Sequence, residues 1–272
     1  MSKVLLFDCD GVLADTEPHG HRAAFNRMWL EAGVPWQWTM EEYGRKLNIA
    51  GGKERMASLF DEPAFRAVWM PPEDPAERWN LLVQWHSRKN GIYRQIVDSG
   101  LIPPRSGVKR LAREALEAGW KLGVASTSAP ESVNAVLRSV VGESIAARFS
   151  LLLAGDVVAA KKPSPEIYRL AAQRLGIAPA DCVVIEDSSN GLAAAAGAGM
   201  KCVITVSSYT NGEDFCRADL VLTSLGDPGG ERCEVLGGKS AVRPGAWVTA
   251  RDLEKLLLPC PGTPGNIRVS RG

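Results

Sequence analysis

Six short apolar runs recur along the chain, and they restrict its fold more than any other feature. They are VLLFD (4–8), WKLGVAS (120–126), FSLLLAG (149–155), CVVIED (182–187), KCVITV (201–206) and DLVL (219–222). Several are apolar on successive residues rather than on alternate ones. That suits strands covered on both faces, as in a parallel sheet. The stretches between them read as helices. In 106–119 the apolar residues 108, 111, 112, 115 and 116 share one helix face, and Gly119 is placed to end the helix. In 164–175 Ser164 is placed to cap the N-terminus, with Pro165 at the first helical position. Strands alternating with helices predict an α/β fold with a doubly wound, Rossmann-like parallel sheet.

Residues 17–95 break this rhythm. They hold Trp29, Trp36, Trp38, Trp69, Trp79 and Trp85 and no β-like run, so a helical insert is expected there. It divides the core into 1–16 and 96–272. The tail from about residue 224 is rich in Gly and Pro, and 249–258 is its one helical candidate. At 272 residues with 45 % hydrophobic residues the chain can fill a sizeable core. A formal net charge of +1 gives no bulk attraction to nucleic acid or an anionic membrane, so neither is an expected partner. No apolar stretch approaches the roughly 20 residues of a membrane span. The opening MSKVLLFD runs straight into a strand, so no secretory signal is expected. The six cysteines (9, 182, 202, 216, 233 and 260) show no C-x-x-C spacing, which favours reduced thiols over a disulfide framework.

Asp8 and Asp10 follow the first apolar run and precede Gly11. Two acids beside a glycine can simply make a turn. Here, however, chemistry-bearing residues also close the later runs. Ser126 ends GVAS, with Thr127 after it; Lys162 lies in AAKKPSPE; Glu186 and Asp187 end VVIED; Asn190 and Gly191 then open a helix. The C-terminal ends of strands are where open α/β sheets bind ligands, and free N–H groups at a helix start favour an anion. A site combining an acidic pair, a hydroxyl, an amine and two further acids is therefore expected at the strand ends.

The order D-x-D-G, then Ser/Thr, then Lys, then an acidic pair resembles the haloacid dehalogenase (HAD) superfamily across the whole core. The resemblance implies Asp8 as nucleophile and Asp10 as general acid/base. It also implies Mg²⁺ held by Asp8, the Asp10 backbone carbonyl and Asp187, with Glu186 acting directly or through water. The residue types suit phosphoryl transfer, which needs an in-line nucleophile and neutralised phosphate oxygens. Mg²⁺ prefers oxygen ligands; Lys162 adds a point charge and Ser126 a hydroxyl donor. Asp10 would protonate the leaving oxygen and then deprotonate the water that cleaves the aspartyl phosphate. Scaffold proteins of such a fold usually lose an acid or the lysine, and none is missing here.

The insert matches the position of the α-helical cap of that superfamily. EEYGRKLNIAGGKERM (41–56) resembles the cap of CbbY-type phosphatases, which act on xylulose-1,5-bisphosphate. DCDGVLADTE (8–17), GHRAAFN (20–26), AGDVVAAKKPSPEIY (154–168) and VVIEDSSNGLAAAAGAGM (183–200) resemble plant and algal members. A sugar-phosphate substrate and a monomer are expected, in the chloroplast stroma by resemblance or, alternatively, in a bacterial-type cytoplasm. The residues expected to touch substrate are Glu17, His21, Tyr43, Gly51, Gly52, Lys53, Arg55, Ser126, Thr127 and Lys162. Gly51 and Gly52 let backbone approach a ligand, and Lys53 and Arg55 offer cations for a second phosphate; the alternative is a solvated basic turn. His21 either faces the substrate or packs at the insert's first hinge, His86 is read as structural, and His19 as a solvated turn residue. Trp36 and Trp38 are core of the insert or a wall for the sugar. β-Phosphoglucomutase-type chemistry shares the core motifs, and GGKER is what favours a linear bisphosphate over it. Ser106 stands where the family leads one to expect proline, and 228–250 is longer than its usual end. LGGKS (236–240) is not a P-loop, since Cys233 occupies the required glycine position.

Overall fold

The computed structural model describes residues 2–49 and 51–258. Its sheet has seven strands, β1 (Val4–Phe7), β2 (Lys121–Ala125), β3 (Leu151–Leu153), β4 (Cys182–Glu186), β5 (Lys201–Thr205), β6 (Leu220–Leu222) and β7 (Val235–Gly237), in the order β3-β2-β1-β4-β5-β6-β7. The first six run parallel, and β7 is antiparallel to β6. The six apolar runs are thus the six parallel strands. The seventh strand was not expected: VLG is too short to show a period, and pairing with β6 is what makes it a strand.

β1 shows why the runs are continuously apolar. Leu5 and Phe7 belong to the core on one side of the sheet, Val4 and Leu6 to the core on the other, and all four are fully buried. Outside the insert, helices α6 (Val108–Glu117), α7 (Pro130–Val141), α8 (Glu143–Ala146), α9 (Glu166–Leu175), α10 (Ser189–Gly197) and α11 (Ala250–Leu257) cover the sheet. α6 ends as expected, with Gly119 at φ +80°. α9 begins one residue later than expected: Pro165 is its N-cap, and Ser164 accepts weakly from the Glu166 N–H at 3.4 Å. α11 starts on a reciprocal cap between Thr249 and Asp252.

Among the described residues the regular structure of the insert is helical: a π-helical turn Glu17–His21, then α1 (Arg22–Glu31), α2 (Met40–Lys46), α3 (Gly52–Ala57), α4 (Pro63–Val68) and α5 (Pro75–Asp98). Asp74 caps α5, and Pro75 fills its first position, where no N–H is needed. α5 runs three residues past position 95. Its interior is aromatic: Phe25, Trp29, Trp38 and Tyr43 pack stacked, edge-on or tilted with centroids 4.6–6.0 Å apart. Trp38 is therefore insert core, and Trp36 packs edge-on against Phe65.

The two linkers of the insert cross side by side. The Arg105 N–H donates to the Leu13 carbonyl at 3.0 Å, the Asp15 N–H donates to that of Pro103 at 3.3 Å, and Ala14 pairs with Pro104. The tail is anchored by Arg110, which donates to the carbonyls of Leu225, Gly226 and Val248. Cys9, Cys182, Cys202 and Cys233 are buried free thiols and Cys216 an exposed one; Cys260 lies outside the described residues. Among the described residues, no helix is long and apolar enough to cross a membrane.

Candidate active site

The parallel strands end around a cavity of about 1140 Å³. Asp8 leaves the end of β1, where its N–H donates to the Ile185 carbonyl at 3.0 Å. Lys162 Nζ donates to Asp8 Oδ1 and to Glu186 Oε1, both at 2.6 Å, and to the Ala125 carbonyl at 3.0 Å. The Tyr168 hydroxyl donates to the same Glu186 oxygen at 2.6 Å. Burial alone would depress the Lys162 ammonium, but Asp8 and Glu186 outweigh it and hold it above the ordinary lysine value. Burial pushes Asp8 up to about 7; Lys162 opposes this, while Glu186 and Asp10 add to it. Asp187 is pushed well above the carboxylate range by burial, then by Glu186 and Asp8.

Asp10 is treated differently. Burial would raise it, but His21, Ser128 and Thr16 all hydrogen-bond its carboxylate and hold it well below the ordinary value. Thr16 Oγ1 is 2.6 Å and His21 Nε2 3.3 Å from Oδ1, and Ser128 Oγ donates to Oδ2. The other ring nitrogen of His21 lies 2.8 Å from Lys89 Nζ. A charged lysine can only donate, which makes Nδ1 the acceptor and puts the ring proton on Nε2, facing Asp10. The ring also stacks on Tyr93, 4.1 Å between centroids.

On the insert side the cavity is lined by Glu17, Gly51, Gly52, Lys53, Arg55, His86, Lys89 and Asn90. The Glu17 carboxylate accepts from the Tyr43 hydroxyl at 2.6 Å, and Arg55 Nη1 donates to that hydroxyl at 3.2 Å. A second cavity, about 310 Å³ beside Arg105, Lys109 and Arg113, shares no residue with the first.

Two acids on one strand end, a lysine between two carboxylates and a neighbouring serine fit one known arrangement, and residues 2–199 match the model of the haloacid dehalogenase-like hydrolases. The chain belongs to that hydrolase family. The hydrolase is 43 % identical over 235 residues to the CBBY-like protein of Arabidopsis thaliana, an alignment covering 86 % of this chain and 73 % of that protein. It is 40 % identical to protein CbbY of Cereibacter sphaeroides, covering 85 % and 95 %. The crystal structure of a mutant CbbY from Rhodobacter sphaeroides in complex with xylulose-1,5-bisphosphate matches with a TM-score of 0.71 at 39 % identity, covering 82 % of this chain and 95 % of that one.

The hydrolase brings the expected core residues Asp8, Asp10, Ser126, Thr127, Lys162 and Asp187 to one cavity, with Glu186 directly behind Lys162. The residues present fit a hard divalent cation. Oxygen atoms of Asp8, Glu186 and Asp187 lie within 4.8 Å of one another, and the crowding that raises Asp8 and Asp187 is what a cation would relieve. Gly11 is needed beside them: its φ is +77°, and a Cβ there would come within 2.1 Å of Asp187 Oδ2. The Asp10 carboxylate is held by Thr16, Ser128 and His21 and is not among these oxygens.

Three placements differ from expectation. Tyr43 is fully buried among aromatics and reaches Glu17 rather than the cavity. The Gly191 N–H is taken by the Ser188 side chain at 3.1 Å and is not free for an anion. His86, read as structural, lines the cavity. Sequence reading also missed Lys89, Asn90, Ser128 and Tyr168. For Ser128 the signal was at hand, since it lies two residues after Ser126; for the others, only docking of the insert and of α9 brings them near.

Proposed function

We propose that this hydrolase is a Mg²⁺-dependent sugar-phosphate phosphatase whose substrate is xylulose-1,5-bisphosphate. Its residues 17–98 act as the cap that selects the substrate. The observation that carries this reading is one cavity with a nucleophile-bearing acidic end, on the strands, and a basic end, on the insert. A bisphosphate of a small sugar spans such a cavity, and the likeness to the CbbY crystallised with that compound supports the choice. The likeness to the Arabidopsis thaliana protein supports a plastid location, and bacterial relatives support the cytoplasm as the alternative.

In the first step an Asp8 oxygen attacks phosphorus in line, the bond to the sugar oxygen breaks, and Asp10 gives that oxygen a proton. In the second, Asp10 takes a proton from water as it attacks, the bond to Asp8 breaks, and phosphate leaves. Mg²⁺ on Asp8, the Asp10 carbonyl and Asp187 would screen the phosphate charge from the incoming carboxylate. Lys162 and Ser126 hold the phosphate oxygens. Asp10 is already a carboxylate in the free site, as the second step requires. The first step requires that substrate binding loosen the hold of Thr16, Ser128 or His21 so that Asp10 can carry a proton.

The test is phosphate release from a panel of sugar mono- and bisphosphates. Xylulose-1,5-bisphosphate is expected to be the best substrate. The Asp8→Asn variant is expected to stay folded, bind substrate and release none, because an amide cannot form the acyl phosphate. Wild-type turnover in Asp8→Asn would end this mechanism; transfer of phosphate to a sugar hydroxyl rather than water would make the enzyme a mutase.

A further inference from the structure

We propose that His86 is a specificity-determining residue that hydrogen-bonds the non-reacting phosphate of a bisphosphate substrate at the insert end of the cavity. The inference rests on the bisphosphate reading above and assigns the far phosphate to a residue outside the GGKER segment.

Two of the three cations at that end already hold protein groups, and the third, Lys53, has its Nζ 4.7 Å from the ring centroid of the exposed Trp79. Arg55 gives Nε to the Ile49 carbonyl at 2.9 Å and Nη1 to Tyr43. Lys89 is held by His21 beneath the rings of Phe25 and Tyr93. A phosphate offers three strong acceptor oxygens, which leaves places for donors beside Lys53. Among the described residues, the side chains of His86 and Asn90 make no hydrogen bond, yet both line the cavity one helical turn apart on α5.

The ring of His86 is placed by its neighbours. A Cβ at Gly52 would lie 3.0 Å from both Cδ2 and Nε2, so the glycine lets the imidazole pack closely against the start of α3. The titratable groups facing it are Lys53 and Glu54 from α3, Lys89 from its own helix and His21 from the π-helical turn. Burial, then Lys89 and Lys53, hold its pKa below the ordinary histidine value, so in the free enzyme the ring is a neutral N–H donor. A phosphate dianion arriving there reverses the balance of charge. The ring then takes up a proton and becomes a charged donor, which strengthens the contact. A substrate with one phosphate, held at Asp8 and Lys162, leaves His86 untouched.

The experiment compares wild type with His86→Ala and His86→Gln on xylulose-1,5-bisphosphate and on a one-phosphate pentulose. Loss of a charge-assisted contact is expected to lower kcat/KM for the bisphosphate about tenfold or more, mainly through KM, with less than about twofold change for the monophosphate. Calorimetry in buffers of different ionisation enthalpy, on an Asp8→Asn background, is expected to show proton uptake on binding the bisphosphate. That uptake should vanish in His86→Gln. Equal losses on both substrates, or uptake unchanged by His86→Gln, would overturn the assignment while leaving the phosphatase intact. A wild-type enzyme that cleaves monophosphates well and bisphosphates poorly would overturn the bisphosphate reading and this inference together.

Discussion

Lys89 combines function and instability in one side chain. It is 5 % exposed, and burial brings its pKa from 10.5 down to about 8 against the opposing pull of Glu17 and Asp10. At pH 7 it is charged in a place that disfavours charge, a penalty of roughly 3 kcal/mol by the size of that shift. Replacing a buried charge by an apolar side chain of similar volume commonly stabilises a protein. Lys89→Met is therefore expected to raise the melting temperature at pH 7 by several degrees, at roughly 2–4 °C per kcal/mol. The sign with pH follows from the depressed folded value. The unfolded chain binds the extra proton between about pH 8 and 10.5, so the wild-type penalty is complete below pH 8 and fades above it. The advantage of the variant should shrink toward pH 10, which paired thermal melts would show. The same change removes the group that sets the His21 tautomer, so kcat is expected to fall as stability rises. A variant with unchanged kcat would show that His21 needs no such partner.

α10 shows how a helix start can serve a site by making room for a neighbouring side chain. Ser188 caps it, and Gly191, its third residue, leaves room for the Glu186 side chain: a Cβ at Gly191 would lie 2.0–2.1 Å from the Glu186 carboxylate. Gly191→Ala should therefore push Glu186 off Lys162 and Tyr168. Alanine is the better helix former, so global stability need not suffer. Residues that orient metal ligands typically cost 10–100-fold in metal affinity when changed. A Mg²⁺ titration of activity is expected to shift by about that factor, and an unchanged midpoint would mean that Glu186 has no part in holding the ion. Elements of this kind differ in how well the sequence displays them. The parallel strands were readable as continuous apolar runs, most of them covered on both faces, and Asp8, Ser126, Glu186 and Asp187 each close one of those runs. α5 was readable as a helix, but its apolar and polar residues do not say which polar ones face the cavity. His86 was therefore read as structural and Lys89 and Asn90 were missed, while Tyr43, expected at the substrate, is buried and reaches the cavity lining through Glu17 and Arg55. β7 owes its existence to β6 and had no local signal.

At the scale of the whole molecule, the acidic end holds Asp8, Asp10, Glu186 and Asp187 against Lys162 as the one cation that directly bonds any of them at the strand ends, among the described residues. EDTA is expected to abolish phosphate release, Mg²⁺ to restore it, and Ca²⁺ to inhibit, because Ca²⁺ takes more ligands at longer distances and can occupy an oxygen that must attack. Full activity in chelator would remove the metal from the mechanism. The crossing of the two linkers, with Leu13, Ala14 and Asp15 hydrogen-bonded or paired to Pro103, Pro104 and Arg105, has a mechanical consequence. Away from the crossing the insert also rests on the core through Tyr209, whose hydroxyl donates to Met40 Sδ at 3.4 Å and whose ring centroid lies 5.9 Å from that of Tyr43. Were the insert to turn about the crossing as a lever, it would have to give up these contacts first. Glu17 and His21, a few residues from the fulcrum, would then travel least and the GGKER loop and His86 most, so the reacting end of a sugar would meet nearly the same groups at every angle and the far end would be read only once the arm came down.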